Sequence, residues 1–171
     1  MSNTHFEFMI KHFEKRDIDY PPHLKIEKTK IKKGDIVLDY GCGPGSYTIA
    51  AAEVVGPTGK IYAADIHPLA IKEVKKRAEK KNLNNIETIL TDNNTKLGNN
   101  TVDVVLLLDI LYHLSDPENN LRELYRVLKE NGWLYVDDHH LNDDEIISKI
   151  TNYGLFKYIE KKDKVFTFMK I

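Results

Sequence analysis

Asp39-Tyr40-Gly41-Cys42-Gly43-Pro44-Gly45 follows the apolar stretch Ile36-Val37-Leu38 and leads into a helix-forming run, Ser46 to Val55. A strand that turns on glycines into a helix leaves backbone N–H groups unpaired where a ligand can come close. A Cβ there would block either the turn or the ligand. Asp65 stands 20 residues beyond Gly45, the offset (about 20) at which an acid after a second strand accepts hydrogen bonds from ribose hydroxyls. Asp92 and Asp109 also follow apolar runs, and so do three histidines, His113, His139 and His140. Imidazole titrates near neutrality, which suits a general base. Histidines in loops also serve simply as solvated or capping groups.

The elements that must position these residues are legible as periodicity. Five apolar segments read as strands: Ile36–Asp39, Ile61–Ala64, Ile86–Leu90, Val102–Leu108 and Trp133–Val136. Between the second and third, Pro68 to Lys81 places Ile71, Val74 and Ala78 on one helical face, with lysines around it. Between the fourth and fifth, Leu121, Leu124, Tyr125 and Leu128 do the same, behind a cap at Ser115-Asp116-Pro117-Glu118. Strands separated by helices imply a parallel sheet with right-handed crossovers. Asn142-Asp143-Asp144-Glu145 opens a further helix with Ile146, Ile147 and Ile150 inward. Two final strands, Phe156–Glu160 and Val165–Met169, flank a charged turn at Lys161–Lys164 and predict a hairpin. In such sheets ligands bind beyond the carboxyl ends of the strands, where Asp39, Asp65, Asp92 and Asp109 all fall.

Ahead of the sheet, Thr4-x-x-Glu7 reads as a capping box, with Phe6, Met9, Ile10 and Phe13 on one face. Tyr20-Pro21-Pro22 ends that helix, and Leu24 to Thr29 reads as a second short one. Phe6, Met9, Phe13 and Tyr20 could close over the ligand as a lid, or the stripe could simply pack on the sheet's flank.

The glycine spacing selects among nucleotide sites. The dinucleotide fingerprint is G-x-G-x-x-G; here glycines fall at 41, 43 and 45, and Ser46 holds the last place of that motif. An acid followed by G-x-G-x-G resembles the first motif of the class I S-adenosylmethionine-dependent methyltransferases, and the resemblance extends over residues 33–171. Together with Leu108 to Pro117, which carries His113-Leu114-Ser115-Asp116-Pro117, it resembles the menaquinone/ubiquinone C-methyltransferase-like branch (methyltransferase types 11 and 25). The implied fold is α/β: a Rossmann-like, seven-stranded, mostly parallel sheet with a C-terminal antiparallel hairpin and helices on both faces. By the same resemblance, Gly41, Cys42, Gly43 and Gly45 pack under the methionine part of S-adenosylmethionine, with Asp39 near its amino group. Asp65 chelates the ribose diol and Ile66 packs on adenine. Asp92 accepts from the adenine amine, and the Asn93 backbone serves the ring nitrogens. Asp109 holds the family's usual acidic or amide position near the cofactor. The chain lacks the long insertion after the fifth strand with which many relatives cover the substrate.

The catalytic candidates are His113, His139 and His140. The main reading carries no metal. An alternative follows the metal-dependent catechol-type O-methyltransferases and sets a divalent ion on Asp109, Asp138 and His139; a carboxylate–imidazole set suits Mn²⁺, Fe²⁺ or Zn²⁺ better than Mg²⁺.

Bulk properties limit the partners. At 171 residues the chain reads as a single methyltransferase domain, residues 1–171. Residues 1–32 would form the N-terminal helical segment, and 33–171 the core. A net charge of -1 gives no overall field for nucleic acid or an anionic membrane. The single cysteine, Cys42, suits a reducing compartment, and no signal-like or membrane-length apolar run is evident. The expectation is a cytoplasmic enzyme with a small-molecule acceptor. RNA or protein methylation, or an idle cofactor-binding protein that works through partners, are the alternatives. The acceptor atom and the oligomeric state are not readable.

Overall fold

The structure is a computed structural model and describes residues 3–171. Seven strands form one sheet: β1 (Ile36–Tyr40), β2 (Lys60–Asp65), β3 (Ile86–Leu90), β4 (Val102–Leu108), β5 (Leu128–Asp137), β6 (Phe156–Lys162) and β7 (Val165–Lys170). Their order is β3-β2-β1-β4-β5-β7-β6. β1 to β5 pair in parallel, and β7 pairs antiparallel with both β5 and β6. The order reverses between β1 and β4, so a crevice opens at their carboxyl ends, where open α/β sheets take ligands.

The buried strands β1 and β4 are apolar at nearly every position because both faces are covered. On one face Leu38, Val105, Leu107 and Leu134 pack against Leu121 and Leu124 of α5 (Pro117–Val127) and Ile146 and Ile150 of α6 (Asp143–Thr151). On the other, Val37, Val104 and Leu106 meet Tyr47, Ala51 and Val55 of α3 (Ser46–Val55) and Ile26 of α2 (Pro22–Ile26). α4 (Pro68–Lys80) seals that face near Cys42 and Ala63 through Val74. Asp116 caps α5 by accepting from the Asn119 N–H at 3.2 Å. Asn142 and Glu145 form a reciprocal capping box on α6.

Several boundaries differ from the sequence-based expectation. Leu128 heads β5 instead of closing the preceding helix, because it pairs with Val102 before a register shift. α2 occupies Pro22–Ile26, not 24–29, since Pro22 sits at its first position, where a missing N–H costs nothing. α1 spans Asn3–Asp19, which puts Thr4 inside the helix and not at its cap; the Glu7 side chain lies outside the described residues. The charged turn before β7 narrows to Asp163-Lys164, with Asp163 at φ 57°. On α4 the first inward residue is Ala70, with Ile71 half-buried.

Candidate active site

The three glycines of the turn at β1's carboxyl end have different jobs. All have positive φ, at 77°, 52° and 89° for Gly41, Gly43 and Gly45. A Cβ on Gly41 would meet Ile110 Cγ1 at 2.5 Å, and one on Gly45 would meet Val74 Cγ2 at 2.8 Å. Those two let protein pack on protein. A Cβ on Gly43 would meet nothing within 4 Å, so the open side of the turn is there. The Gly43 N–H donates to Asp65 Oδ2 at 2.8 Å, while Asp65 Oδ1 accepts from the His67 N–H at 2.8 Å. The acid closing β2 therefore holds the glycine turn and the start of α4 together.

Asp39 lies beneath this turn, 2% exposed, and accepts from the Thr48 hydroxyl at 2.5 Å. Burial pushes its carboxyl up to about 7, against the Thr48 hydrogen bond and with help from the Asp65 charge. Cys42 is buried beside it, and burial raises its thiol well above the ordinary range. Ile66, past β2, is 70% exposed. Asp92 follows β3 with its side chain exposed; its carbonyl accepts from the Tyr40 hydroxyl and the Asn120 amide. Asn93 Oδ1 is buried with no hydrogen-bond partner.

At the carboxyl ends of β4 and β5 a second group converges. Asp109 has φ 59°, a left-handed conformation that a short polar side chain tolerates. Its Oδ2 accepts from Arg16 Nη1 at 3.3 Å and the Tyr47 hydroxyl at 3.2 Å, with Lys25 Nζ at 3.6 Å. Its Oδ1 lies 3.3 Å from His139 Nδ1. Lys25 Nζ also reaches Asp137 Oδ2 at 2.5 Å. Burial works against every charge here. For Asp109 it is outweighed by Lys25, His139 and Arg16, which hold the carboxyl below its ordinary value. For Lys25 it is outweighed by Tyr47, Asp109 and Asp137, which push the ammonium up. For Asp137 burial wins, and the Asp109 charge adds to it, so its carboxyl is raised despite Lys25. Two acids share one ammonium, and their carboxyls are shifted in opposite directions, Asp109 down and Asp137 up.

The three catalytic candidates come together, two of them against Tyr112 and His139 through His140. Tyr112 stacks on His140 at 4.9 Å between ring centroids, His113 meets His140 edge-on at 5.1 Å, and His139 and His140 lie 3.9 Å apart. Asp138 is buried below them and ties the two loops: Oδ2 accepts from the Tyr112 N–H at 2.8 Å, Oδ1 from the His140 N–H at 2.9 Å. Of the set Asp109, Asp138 and His139, Asp109 is engaged by Arg16, Lys25 and Tyr47. Donor atoms within 4.8 Å of one another come from Asp138, His139 and His140.

α1 lies across this end of the sheet. Phe6, 1% exposed, stacks on His67 at 4.6 Å, and Asp17 accepts from the Ser46 hydroxyl at the start of α3. Met9 and Phe13 are half-buried and Tyr20 is 76% exposed. Arg16, Lys25 and Tyr47 were absent from the sequence-based site. Arg16 and Lys25 precede the sheet, and no strand-end position marks them. Asp137 stood beside Asp138 in sequence, without a signal separating the two. A cavity of about 420 Å³ lies at the opposite end of the sheet, between Lys30, Asp35, Asp103 and Trp133, away from all of these groups.

A parallel sheet reversing at β1/β4, a glycine turn tied to the β2 acid and an antiparallel last strand define a class I methyltransferase fold. Residues 31–167 match the methyltransferase-domain family, and the chain belongs to it; S-adenosylmethionine is the cofactor of this family. It is 31% identical over 135 residues to a demethylmenaquinone methyltransferase of Geobacillus, covering 74% of this chain and 58% of that one. It is 29% identical to a ubiquinone/menaquinone biosynthesis C-methyltransferase of Hydrogenovibrio crunogenus, covering 82% and 56%. The chain thus spans somewhat over half the length of these curated relatives. A methyltransferase crystal structure from Aquifex aeolicus superposes with a TM-score of 0.81 at 24% identity, covering 88% of this chain and 90% of that one. One feature of the site fits the cofactor: the clear space over Gly43.

Proposed function

We propose that this chain binds S-adenosylmethionine over the Gly41–Gly45 turn and transfers its methyl group to a small-molecule acceptor. The observation that carries the reading is the Gly43–Asp65 hydrogen bond beneath an open approach. Asp65, Ile66, Asp92 and Asn93 would hold the ribose and adenine. Asp39 and Asp109 would face the cationic methionine end, together with the backbone of Gly41, Cys42, Gly43 and Gly45. Transfer breaks the sulfonium–methyl bond as the acceptor atom attacks in line, so alignment supplies much of the rate. His113, His139 or His140 would take the acceptor's proton.

The quinone methyltransferases among the relatives support a small aromatic or enolic acceptor. Residues 1–32 would supply the cover that a longer insertion provides elsewhere, with Phe6 and Phe13 as its apolar side. On α4, Lys76 pairs with Glu73, and just past it Lys81 pairs with Glu53, which supports a solvated face and not an RNA surface. Among the described residues no helix is long and apolar enough to cross a membrane. A lone, buried, free thiol at Cys42 supports the cytoplasmic reading. The test is incubation with methyl-labelled S-adenosylmethionine and a panel of quinols, catechols, small amines and bulk tRNA. Label in a small-molecule fraction supports the proposal; label in tRNA alone, or none at all, opposes it.

A further inference from the structure

The histidine cluster holds more donors than one proton transfer needs. One donor atom each from Asp138, His139 and His140 lies within 4.8 Å of the others, and the His113 ring stands 5.1 Å from that of His140. The two adjacent imidazoles meet carboxylates in different ways: His139 Nδ1 lies 3.3 Å from Asp109 Oδ1, which orients it, and His140 Nδ1 lies 3.3 Å from Asp138 Oδ1, a spacing at which both atoms can bind one ion. For His139, Nδ1 directed to the Asp109 carboxylate leaves Nε2 as a lone-pair donor, the arrangement that accompanies most metal-bound histidines. Asp138 accepts two backbone N–H bonds, one on each oxygen. Each carboxylate oxygen has two lone pairs, so both retain coordinating capacity.

We propose that Asp138, His139 and His140 bind a divalent first-row transition ion, with His113 available as a fourth donor. Two or three imidazoles and one carboxylate suit Zn²⁺, Co²⁺, Ni²⁺ or Fe²⁺ and disfavour Mg²⁺, which prefers an all-oxygen shell. His139 and His140 are exposed at 67% and 37% of their side-chain surface, so an ion reaches them from solvent. Asp109 is the orienting carboxylate behind His139, itself anchored by Arg16 and Lys25.

The test is a titration of the untagged full chain with Co²⁺ alone, followed by its visible absorption, with Zn²⁺ as competitor. The ion is the only ligand, so the result is independent of methyl transfer. One Co²⁺ per chain with intensified d–d bands is expected, weakened at least tenfold in His139→Ala and in His140→Ala. Asp109→Asn should weaken it by roughly 10–100-fold, as loss of an orienting carboxylate does. His12→Ala, which removes a histidine outside the proposed donor set, should leave it unchanged. A dissociation constant weaker than about 1 mM, or a titration unaltered in the double histidine variant, overturns the site. Circular dichroism checks each fold, and His139→Ala, whose ring is the most exposed, decides if His140→Ala unfolds.

Discussion

The backbone N–H of Gly43 donates to Asp65 Oδ2 at 2.8 Å, which makes the glycine turn and the terminal acid of β2 a single unit. One carboxylate therefore fixes the shape of the glycine turn and, in the proposed function, also meets the ribose. Its other oxygen holds His67, against which Phe6 of α1 stacks. α1 is thus linked to the glycine turn through three contacts.

The glycines separate packing from binding. Gly43→Ala forces an L residue into the left-handed region at a cost of about 1–2 kcal/mol but meets no neighbour. It should fold, with S-adenosylhomocysteine binding weakened at least tenfold. Gly45→Ala adds the overlap with Val74, a rigid β-branched residue on a packed helix, and should lose more stability than Gly43→Ala. Urea unfolding of both variants beside calorimetry checks the order; equal stability losses would contradict it.

Asp39 sets a pH dependence of known sign. Its carboxyl ionises near 3.8 in the unfolded chain and at about 7 in the folded one. Between those values the folded state keeps a proton that the unfolded state has lost, so stability falls as pH rises through the window. Asp39→Asn removes this contribution. Wild type should lose more stability than the variant between pH 4 and pH 7, measured by urea midpoints; parallel curves would show that Asp39 does not titrate there.

The same carboxyl should report on the ligand. An ammonium group arriving beside a protonated Asp39 favours its ionised form. Binding of S-adenosylhomocysteine near pH 6 should then release a proton, visible as a dependence of the binding enthalpy on the buffer's ionisation enthalpy. Asp39→Asn should abolish that dependence, and a buffer-independent enthalpy in wild type would contradict the assignment.

Lys25 neutralises two acids at once. Lys25→Met leaves Asp137 without its ammonium and should destabilise the fold by about 1–3 kcal/mol. Adding Asp137→Asn should recover part of that loss, because the uncompensated charge is then gone. Denaturant unfolding of the two variants provides the comparison, and no recovery would mean that Asp137 is already neutral.

α1 is held at its last turn by Arg16 and Asp17. If it covers the bound cofactor, Arg16→Ala with Asp17→Ala should raise the dissociation rate of S-adenosylhomocysteine about tenfold while the melting temperature changes little. Stopped-flow measurement distinguishes this from a packing helix, whose loosening would lower the melting temperature and leave the rate alone.

Sequence reading recovered the sheet because buried parallel strands announce themselves. Val102 to Leu108 is apolar for almost its whole length, and the connecting helices carry clear inward stripes. The strand-end acids and the glycine turn were legible from residue type and spacing, and their expected roles came from the family resemblance. The boundary at Leu128 was hidden because a leucine fits the inward face of a helix as well as the start of a strand. Arg16 and Lys25 were hidden for a different reason. Their partners, Asp109 and Asp137, lie 93 and 112 residues away in sequence, and nothing local marks a cation that will meet a distant acid. His113, His139 and His140 were visible as strand-end residues, yet only the fold shows that their rings form one cluster with Tyr112.

The most direct measurement is a calorimetric titration of S-adenosylhomocysteine into the wild type and Asp65→Ala, with thermal melts confirming that both are folded. One-to-one binding that collapses in the variant is the predicted result, because Asp65 holds Gly43 and is the proposed ribose acceptor. A folded wild type that binds nothing, or a folded variant that binds as tightly as wild type, would contradict the account.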